Sequence, residues 1–186
     1  MPRHDRHTGF SLIELMVTIA VLSILLTIAV PSFSNIMRNS QTAGETNRFV
    51  TALNLARSEA TKQGLPVTVC AANNDRTNCA GNAGTWATNG WLVFSENVAP
   101  FAEFNPGVDG DVLVQVGPAP AAQMQIAATD AFVRFNTSGE RMNAPAVAGP
   151  GNEMTFDVRH TTCIGENRRR VQINRTGRIT MAKIAC

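Results

Sequence analysis

Four cysteines are the first residues in this 186-residue sequence whose type and spacing indicate chemistry. They form an even set, and no two of them have the CxxC spacing of a zinc site, so disulfides are the better interpretation. Four cysteines allow three pairings. Because disulfides form outside the reducing cytosol, the domain that carries Cys70, Cys79, Cys163 and Cys186 is expected to mature there.

The C-terminal segment is basic, although the formal net charge of the whole chain is only +2. From Arg159 to Cys186 the chain has six arginines and one lysine against the single acid Glu166. Guanidinium groups clustered at a turn can bind phosphates by charge and forked hydrogen bonds without reading a base sequence. The candidates for binding double-stranded DNA are Arg168, Arg169, Arg170, Arg175, Arg178 and Lys183. The alternative is a solvated hairpin that contacts acidic protein neighbours.

Patterns typical of an enzyme or a metal site are weak. Beyond residue 9 the one histidine is His160, so the sequence does not indicate a Ser-His-Asp triad. Asp109 and Asp111 stand beside glycines, but the ligand pattern and terminal glutamate of a calcium loop are missing, which favours a solvated turn. No glycine-rich phosphate motif precedes a helix. We therefore expect no catalysis, no metal and no cofactor.

The apolar run from Phe10 to Val30 has the length of a membrane-spanning helix. Arg3 and Arg6 lie before it, which predicts a cytoplasmic N-terminus and a head on the other face of the membrane. The run contains one ionisable residue, Glu14, and a carboxylate there is costly unless it is paired or protonated. We therefore expect Glu14 to have a partner.

The small residue Gly9 precedes the apolar run, whereas an ordinary secretory signal places its cleavage site after that run. Gly9 followed by Phe10-Ser11-Leu12-Ile13-Glu14 resembles the recognition motif of prepilin peptidases in type IV pilins and in type II secretion pseudopilins. The resemblance implies cleavage between Gly9 and Phe10, N-methylation of Phe10, and pairing of Glu14 with the new terminal ammonium of the same or a neighbouring subunit. The alternative for Glu14 is a role in peptidase recognition alone.

The helical pattern continues past Pro31, which favours a kink over a stop, and it ends at Gly64-Leu65-Pro66. This predicts one helix from Phe10 to about Lys62. The expected organisation is a removed leader, a transmembrane half of the helix, a periplasmic half of the helix and a β-rich globular head: residues 1–9, 10–30, 31–63 and 64–186.

Short apolar runs separated by Gly, Pro and Asn predict strands in the head. The predicted strands are residues 66–71, 90–95, 112–117, 123–126, 132–135, 154–157, 169–173 and 178–184. They fit an antiparallel two-sheet head, so the fold class is α+β. The predicted long loops are residues 73–89, 101–111 and 136–152.

Further segments narrow the resemblance to the GspH/FimT branch of minor pilins and pseudopilins. These segments are Leu53–Ala60, Val67–Cys70, Trp86 with Gly90–Phe94, and Gly177-Arg178 before the last cysteine. Aromatic residues beside β-branched runs usually pack a sheet, so Trp86, Trp91 and Phe94 are expected to be core residues.

Pairing between cysteines that are close in sequence fits successive β elements. Together with the habit of the resembling family, it favours the disulfides Cys70–Cys79 and Cys163–Cys186. The FimT side of the branch has a Gly-Arg-x-Arg motif associated with DNA binding in natural transformation. This chain has Gly177-Arg178-Ile179-Thr180, so the second arginine is missing. The implied DNA site therefore depends on Arg178, with Arg175 and the run Arg168–Arg170 as alternative substitutes for the missing arginine.

The resemblance implies a minor type IV pilin that assists pilus assembly, with DNA binding through the basic hairpin as a further function. Its expected partners are prepilin peptidase, other major and minor pilins, the inner membrane and double-stranded DNA. Its expected location is the bacterial inner membrane, with a periplasmic head, and then a filament. The alternative is an H-type pseudopilin of a type II secretion system.

Overall fold

A single long helix, α1, runs from Leu12 to Gln63 in the computed structural model, which describes residues 10–97, 103–142 and 153–186. The Ser11 side chain accepts a hydrogen bond from the Glu14 backbone N–H at 3.2 Å and so caps the first turn. Gly64 follows the helix with a φ of +67°, the left-handed conformation that commonly ends helices. The helix continues through Pro31, so the prediction that Pro31 does not end it is confirmed. The structure contains two compact units, residues up to Met37 and Arg38–Cys186.

The first unit is an apolar stretch of α1 whose large side chains are exposed. Leu12, Ile13 and Ile28 are exposed by 77%, 67% and 66%. By length and composition, α1 is the one helix among the described residues that could cross a membrane, with a mean hydropathy of 2.5 over its most apolar window. Such a surface is stable when lipid or neighbouring apolar helices cover it.

The second unit begins with the remainder of α1, which presents a buried apolar stripe. Phe49, Leu53, Ala56 and Ala60 recur at steps of three and four residues, and none of them is exposed. This stripe packs into one hydrophobic core together with both sheets of the head.

Nine strands lie in the described residues of the head. They are β1 Val67–Ala71, β2 Trp91–Ser95, β3 Val112–Val116, β4 Met124–Ala128, β5 Phe132–Phe135, β6 Arg141–Met142, β7 Met154–His160, β8 Arg168–Ile173 and β9 Ile179–Ile184. A short 3-10 helix, Ala83–Ala87, lies between β1 and β2. Strand β6 and the 3-10 helix were absent from the sequence prediction, because two residues show no periodicity and AGTWA has none of the usual helix signals.

The strands form two antiparallel sheets. The first has the order β3-β2-β1-β5-β6 and the second the order β4-β7-β8-β9. Strand β7 shows the expected alternation, with Met154, Phe156, Val158 and His160 buried. The predicted α+β class, a long helix followed by a head of two antiparallel sheets, is confirmed.

Aromatic rings fill the centre of the core. Phe49 of α1 packs edge-to-face on Trp86, Trp91 and Phe156, with ring centroids 5.5, 5.3 and 4.8 Å away. Phe94 belongs to a smaller cluster that also contains Cys70 and Leu92. The prediction that both tryptophans and Phe94 are core residues is therefore confirmed.

Candidate functional site

The N-terminal sites lie at the start of α1. Gly9, one side of the expected cleavage site, lies outside the described residues, and Phe10 is 84% exposed. Glu14 stands in the first helical turn, where the positive end of the helix dipole favours a carboxylate. The sequence Ser11-x-x-Glu14 is thus also a helix-capping pattern, which gives Glu14 a local structural reason in addition to any role in assembly.

Two disulfides join residues that are near in sequence, Cys70 to Cys79 and Cys163 to Cys186. The first ties the middle of β1 to the end of the turn that follows it. The second brings the C-terminus back to the segment before β8, where the Cys186 N–H donates to the Gly165 carbonyl at 2.8 Å. Each closure restricts the unfolded chain and contributes roughly 3 kcal/mol.

The basic candidates Arg168 and Arg170 lie on the outer face of the second sheet, where they meet an acid. Nε and Nη2 of Arg170 donate to the two carboxylate oxygens of Asp157 at 2.8 and 2.9 Å. Nη1 of Arg168 is 3.5 Å from the same carboxylate. Hydrogen bonding to Asp157 raises the pKa of Arg170, so Arg170 stays charged and engaged.

Arg169 and Lys183 lie on the opposite face of that sheet, because side chains alternate along a strand and these two residues are paired in register. Nη2 of Arg169 donates to Oδ1 of Asn39 on α1 at 3.1 Å. Nζ of Lys183 is 3.9 Å from the Glu166 carboxylate. These two cations therefore face away from the group formed by Arg168 and Arg170.

Arg175 and Arg178 lie in the β8–β9 turn, and both are exposed. Asn174 builds the turn: its Oδ1 accepts from the Arg178 backbone N–H at 2.9 Å and from the Thr176 hydroxyl at 2.8 Å. Within the described part of the chain, neither arginine side chain has a hydrogen bond or ion pair. The six sequence candidates are thus divided among two sheet faces and one turn, and this turn, residues 174–178, is called the basic turn below.

Arg57 of α1 holds the basic turn in place. Its Nε donates to the Gly139 carbonyl at 2.9 Å, and its Nη2 donates to the Thr176 carbonyl at 3.3 Å. The Arg141 N–H also donates to the Arg175 carbonyl at 3.0 Å, which joins the basic turn to the β5–β6 turn. We call these three hydrogen bonds the Arg57 latch.

Gly177 is required by the Arg57 latch. Its φ is +73°, and a Cβ at this position would collide with the Gly139 carbonyl oxygen and lie 3.2 Å from Nε of Arg57. Sequence reasoning did not assign a role to Arg57, although this residue lies within the Leu53–Ala60 segment of the family resemblance. The sequence did contain an indication that Arg57 contacts the head, because Arg57 follows Ala56 in the apolar stripe that packs α1 into the core.

His160 and Asp111, two of the residues considered for catalysis or metal binding, have structural partners. Nε2 of His160 is 2.7 Å from Oε1 of Gln123, and Nδ1 accepts from the Thr162 N–H at 3.0 Å, so both ring nitrogens are occupied. The expectation of a solvated turn is wrong for Asp111, which is 6% exposed. Its carboxylate accepts the backbone N–H groups of Asn97 and Asn105 at 3.1 and 3.0 Å, which closes the β2–β3 loop.

An open cavity of about 260 Å³ lies beside the first disulfide. Ala131 and Phe132, at the start of β5, line it together with Cys70, Cys79 and the exposed acid Glu103. Among the described residues, no group of three or more His, Cys, Asp or Glu side chains could hold a metal ion.

Comparisons with known proteins give a family. The family model described as type II transport protein GspH matches residues 45–177, more than half of the chain. The model of the prokaryotic N-terminal methylation motif matches residues 5–30. No curated protein sequence gives a significant match.

Two solved structures of the type IV minor pilin FimU from Pseudomonas aeruginosa strain PAO1 are similar to this chain. The crystal form in space group P21 is 18% identical, with a TM-score of 0.48, over 74% of this chain and 90% of that chain. The form in space group P65 is 17% identical, with a TM-score of 0.44, over 77% of this chain and 91% of that chain. On the family-model match, the chain belongs to the GspH family of minor pilins and pseudopilins.

Proposed function

We propose that this chain is a minor type IV pilin that assists filament assembly. In this proposal its leader is removed between Gly9 and Phe10, Phe10 is N-methylated, and the apolar part of α1 holds a periplasmic head at the inner membrane before assembly. The observation that carries the proposal is the uncovered apolar stretch of α1, with Glu14 as its one ionisable residue, joined to a disulfide-bonded head. A filament of packed helices would cover that surface and supply a cation for Glu14.

The test is Glu14→Ala, compared with Thr18→Ala one helical turn further on. Thr18 is uncharged and donates its hydroxyl to the Leu15 carbonyl within its own helix, so its loss removes no charge from the helix. We expect the Glu14→Ala chain to be inserted and cleaved, because insertion needs only apolarity, but to be largely absent from sheared filaments. The mature chain should begin with methylated Phe10 by mass spectrometry. Normal incorporation of Glu14→Ala would contradict the assembly role.

An H-type pseudopilin of a type II secretion system is the second candidate, and the description of the matching family model favours it. The two candidates predict opposite phenotypes when the gene for this chain is deleted. A minor pilin would be needed for surface pili while protein secretion continues. A pseudopilin would be needed for secretion of folded proteins while surface pili persist.

DNA binding is a finer proposal for the same chain, and the exposed arginines of the basic turn support it. We expect Arg175→Gln with Arg178→Gln to weaken binding of double-stranded DNA of any sequence, and to lower the slope of log affinity against log salt by about two units. The matched control is Arg168→Gln with Arg170→Gln, which removes the same charge from side chains already paired with Asp157. Equal binding by both double variants in an anisotropy titration would contradict this use of the basic turn.

A further inference from the structure

The cavity and the basic turn lie at opposite ends of β5. Strand β5 pairs with β1 so that Phe132 is opposite Cys70 and Phe135 is opposite Val67. The cavity is at the Cys70 and Phe132 end. The basic turn is at the other end, where the β5–β6 turn begins after Phe135 and contacts it through the Arg57 latch.

The same separation appears along α1. The basic turn is fixed to Arg57, whereas the cavity wall follows Asp130, whose carbonyl accepts the Trp86 indole N–H at 2.9 Å. Trp86 packs on Phe49, eight residues before Arg57 in the helix. At 1.5 Å per residue this is a separation of about 12 Å along the helix axis. One chain therefore cannot place its own basic turn in its own cavity.

The cavity has the chemistry of a site for a long cationic side chain. The residues that line it include the disulfide pair Cys70 and Cys79, the aromatic residue Phe132 and the exposed acid Glu103. A guanidinium stacks favourably on an aromatic face and pairs with a carboxylate at its edge. Glu103 is the one acid among the residues that line the cavity, and it is exposed.

We propose that this cavity receives the side chain of Arg178 from a second copy of this chain. The exposed guanidinium and the exposed carboxylate are complementary in charge. The cavity and the basic turn are different surfaces at the two ends of β5, so one such contact leaves a basic turn and a cavity free on the paired copies, and the contact can repeat in one direction. The proposal rests on the proposed function, since assembly brings heads together in this arrangement. A subunit whose basic turn is left uncovered keeps Arg175 and Arg178 for DNA.

The experiment is carbodiimide coupling of the full chain in detergent micelles, using Arg178→Lys to supply an amine. Equal amounts of ¹⁴N- and ¹⁵N-labelled chains are mixed, so that a link between copies has peptides of both isotopes. We expect a mixed-isotope link between Glu103 and the introduced amine. Adding Glu103→Gln should abolish this link, because the carboxylate that the carbodiimide activates is gone, and the loss of one exposed ion pair should weaken the remaining association by up to about fivefold. Adding Glu166→Gln instead, which removes a different exposed acid, should leave the yield of the link unchanged.

A swapped chain with Glu103→Lys and Arg178→Glu tests whether a variant has merely misfolded, because it restores an amine and a carboxylate at the two positions. It should link again. Links from the introduced amine to other carboxylates, with none to Glu103, overturn the proposal. Incorporation of the same chains into sheared filaments is scored in parallel. If the chain is present in filaments but gives no mixed-isotope link, the contact is overturned and the proposed function stands. If the chain gives the link but is absent from filaments, the contact is supported and the proposed function is overturned.

Discussion

Gly177→Ala is the most direct test of the Arg57 latch, because a single methyl group is added where two turns and a helix meet. The new Cβ would collide with the Gly139 carbonyl oxygen, which belongs to backbone and cannot rotate away. Relief requires the basic turn to move from the β5–β6 turn. That movement would lengthen the hydrogen bond from Nη2 of Arg57 to the Thr176 carbonyl of the basic turn, now 3.3 Å.

The magnitude follows from two contributions. Alanine at a φ of +73° strains the folded state and lowers the free energy of unfolding by about 1 to 2 kcal/mol. Alanine also restricts the unfolded chain, and this offsets about 0.4 to 1 kcal/mol of that loss. Loss of a hydrogen bond from a charged donor costs roughly 1.5 to 3 kcal/mol more. Gly165→Ala is the matched control, because Gly165 has a φ of +66° and a Cβ there would meet nothing within 4 Å. We therefore expect Gly177→Ala to lower the free energy of unfolding by about 2 kcal/mol more than Gly165→Ala.

The two tryptophans report on the head, since both are fully buried in its core. Denaturant unfolding of the full chain in detergent, followed by tryptophan fluorescence with the disulfides intact, would therefore measure the difference. Equal midpoints for Gly177→Ala and Gly165→Ala would show that the turns are not held at the distance described, and the latch would then have no energetic role.

Two further predictions concern buried carboxylates, each measured with the same fluorescence assay. Burial raises the pKa of Glu45 above its ordinary 4.5, with Arg48 acting in the opposite direction, so ionised Glu45 opposes folding at neutral pH. Glu45→Gln should raise the free energy of unfolding at pH 7. The gain should vanish near pH 4, where the glutamate of the original chain and the glutamine of the variant are both neutral. A gain that persists at that pH would refute the electrostatic cause. Asp111→Ala should lower stability by about 2 to 4 kcal/mol because two backbone donors lose their acceptor. The Asp109 side chain has no partner among the described residues, so Asp109→Ala should change the free energy of unfolding little. A loss as large as that of Asp111→Ala would argue against the loop closure.

Most of the fold could be predicted because its signals are local. The apolar run, the 3.6-residue stripe of α1 and the alternation of β7 each require only a few neighbouring residues. Strand β6 could not be found, because its two residues are a strand only through pairing with β5. The burial of Asp111 was missed for the same reason: its partners Asn97 and Asn105 lie across a loop, and an aspartate beside glycines has the composition of a solvated turn.

The sequence identified the basic residues of the candidate site, but it did not show which of them lie together or which are paired with acids. Alternation along a strand is sufficient to separate Arg169 from Arg168 and Arg170, and this inference was open to the sequence alone. The pairing of Arg170 with Asp157 was not, because it depends on the register between β7 and β8. Nothing local to Asp157 indicates which strand lies beside it.

The register also explains what the missing second arginine of the Gly-Arg-x-Arg pattern changes. Thr180 stands in its place, opposite Gln172, and therefore lies on the outer face of the second sheet in the row that contains Arg170. An arginine at position 180 would have added a second cation close to Arg178 on that face. Arg170 does not take the place of this missing arginine, because Arg170 is already paired with Asp157. Gly177, in contrast, has a structural reason that is independent of DNA, because the Arg57 latch has no room for a side chain there. The glycine of the pattern therefore fixes where the basic turn lies, and the test with Arg175→Gln and Arg178→Gln asks separately whether the exposed arginines of that turn bind DNA.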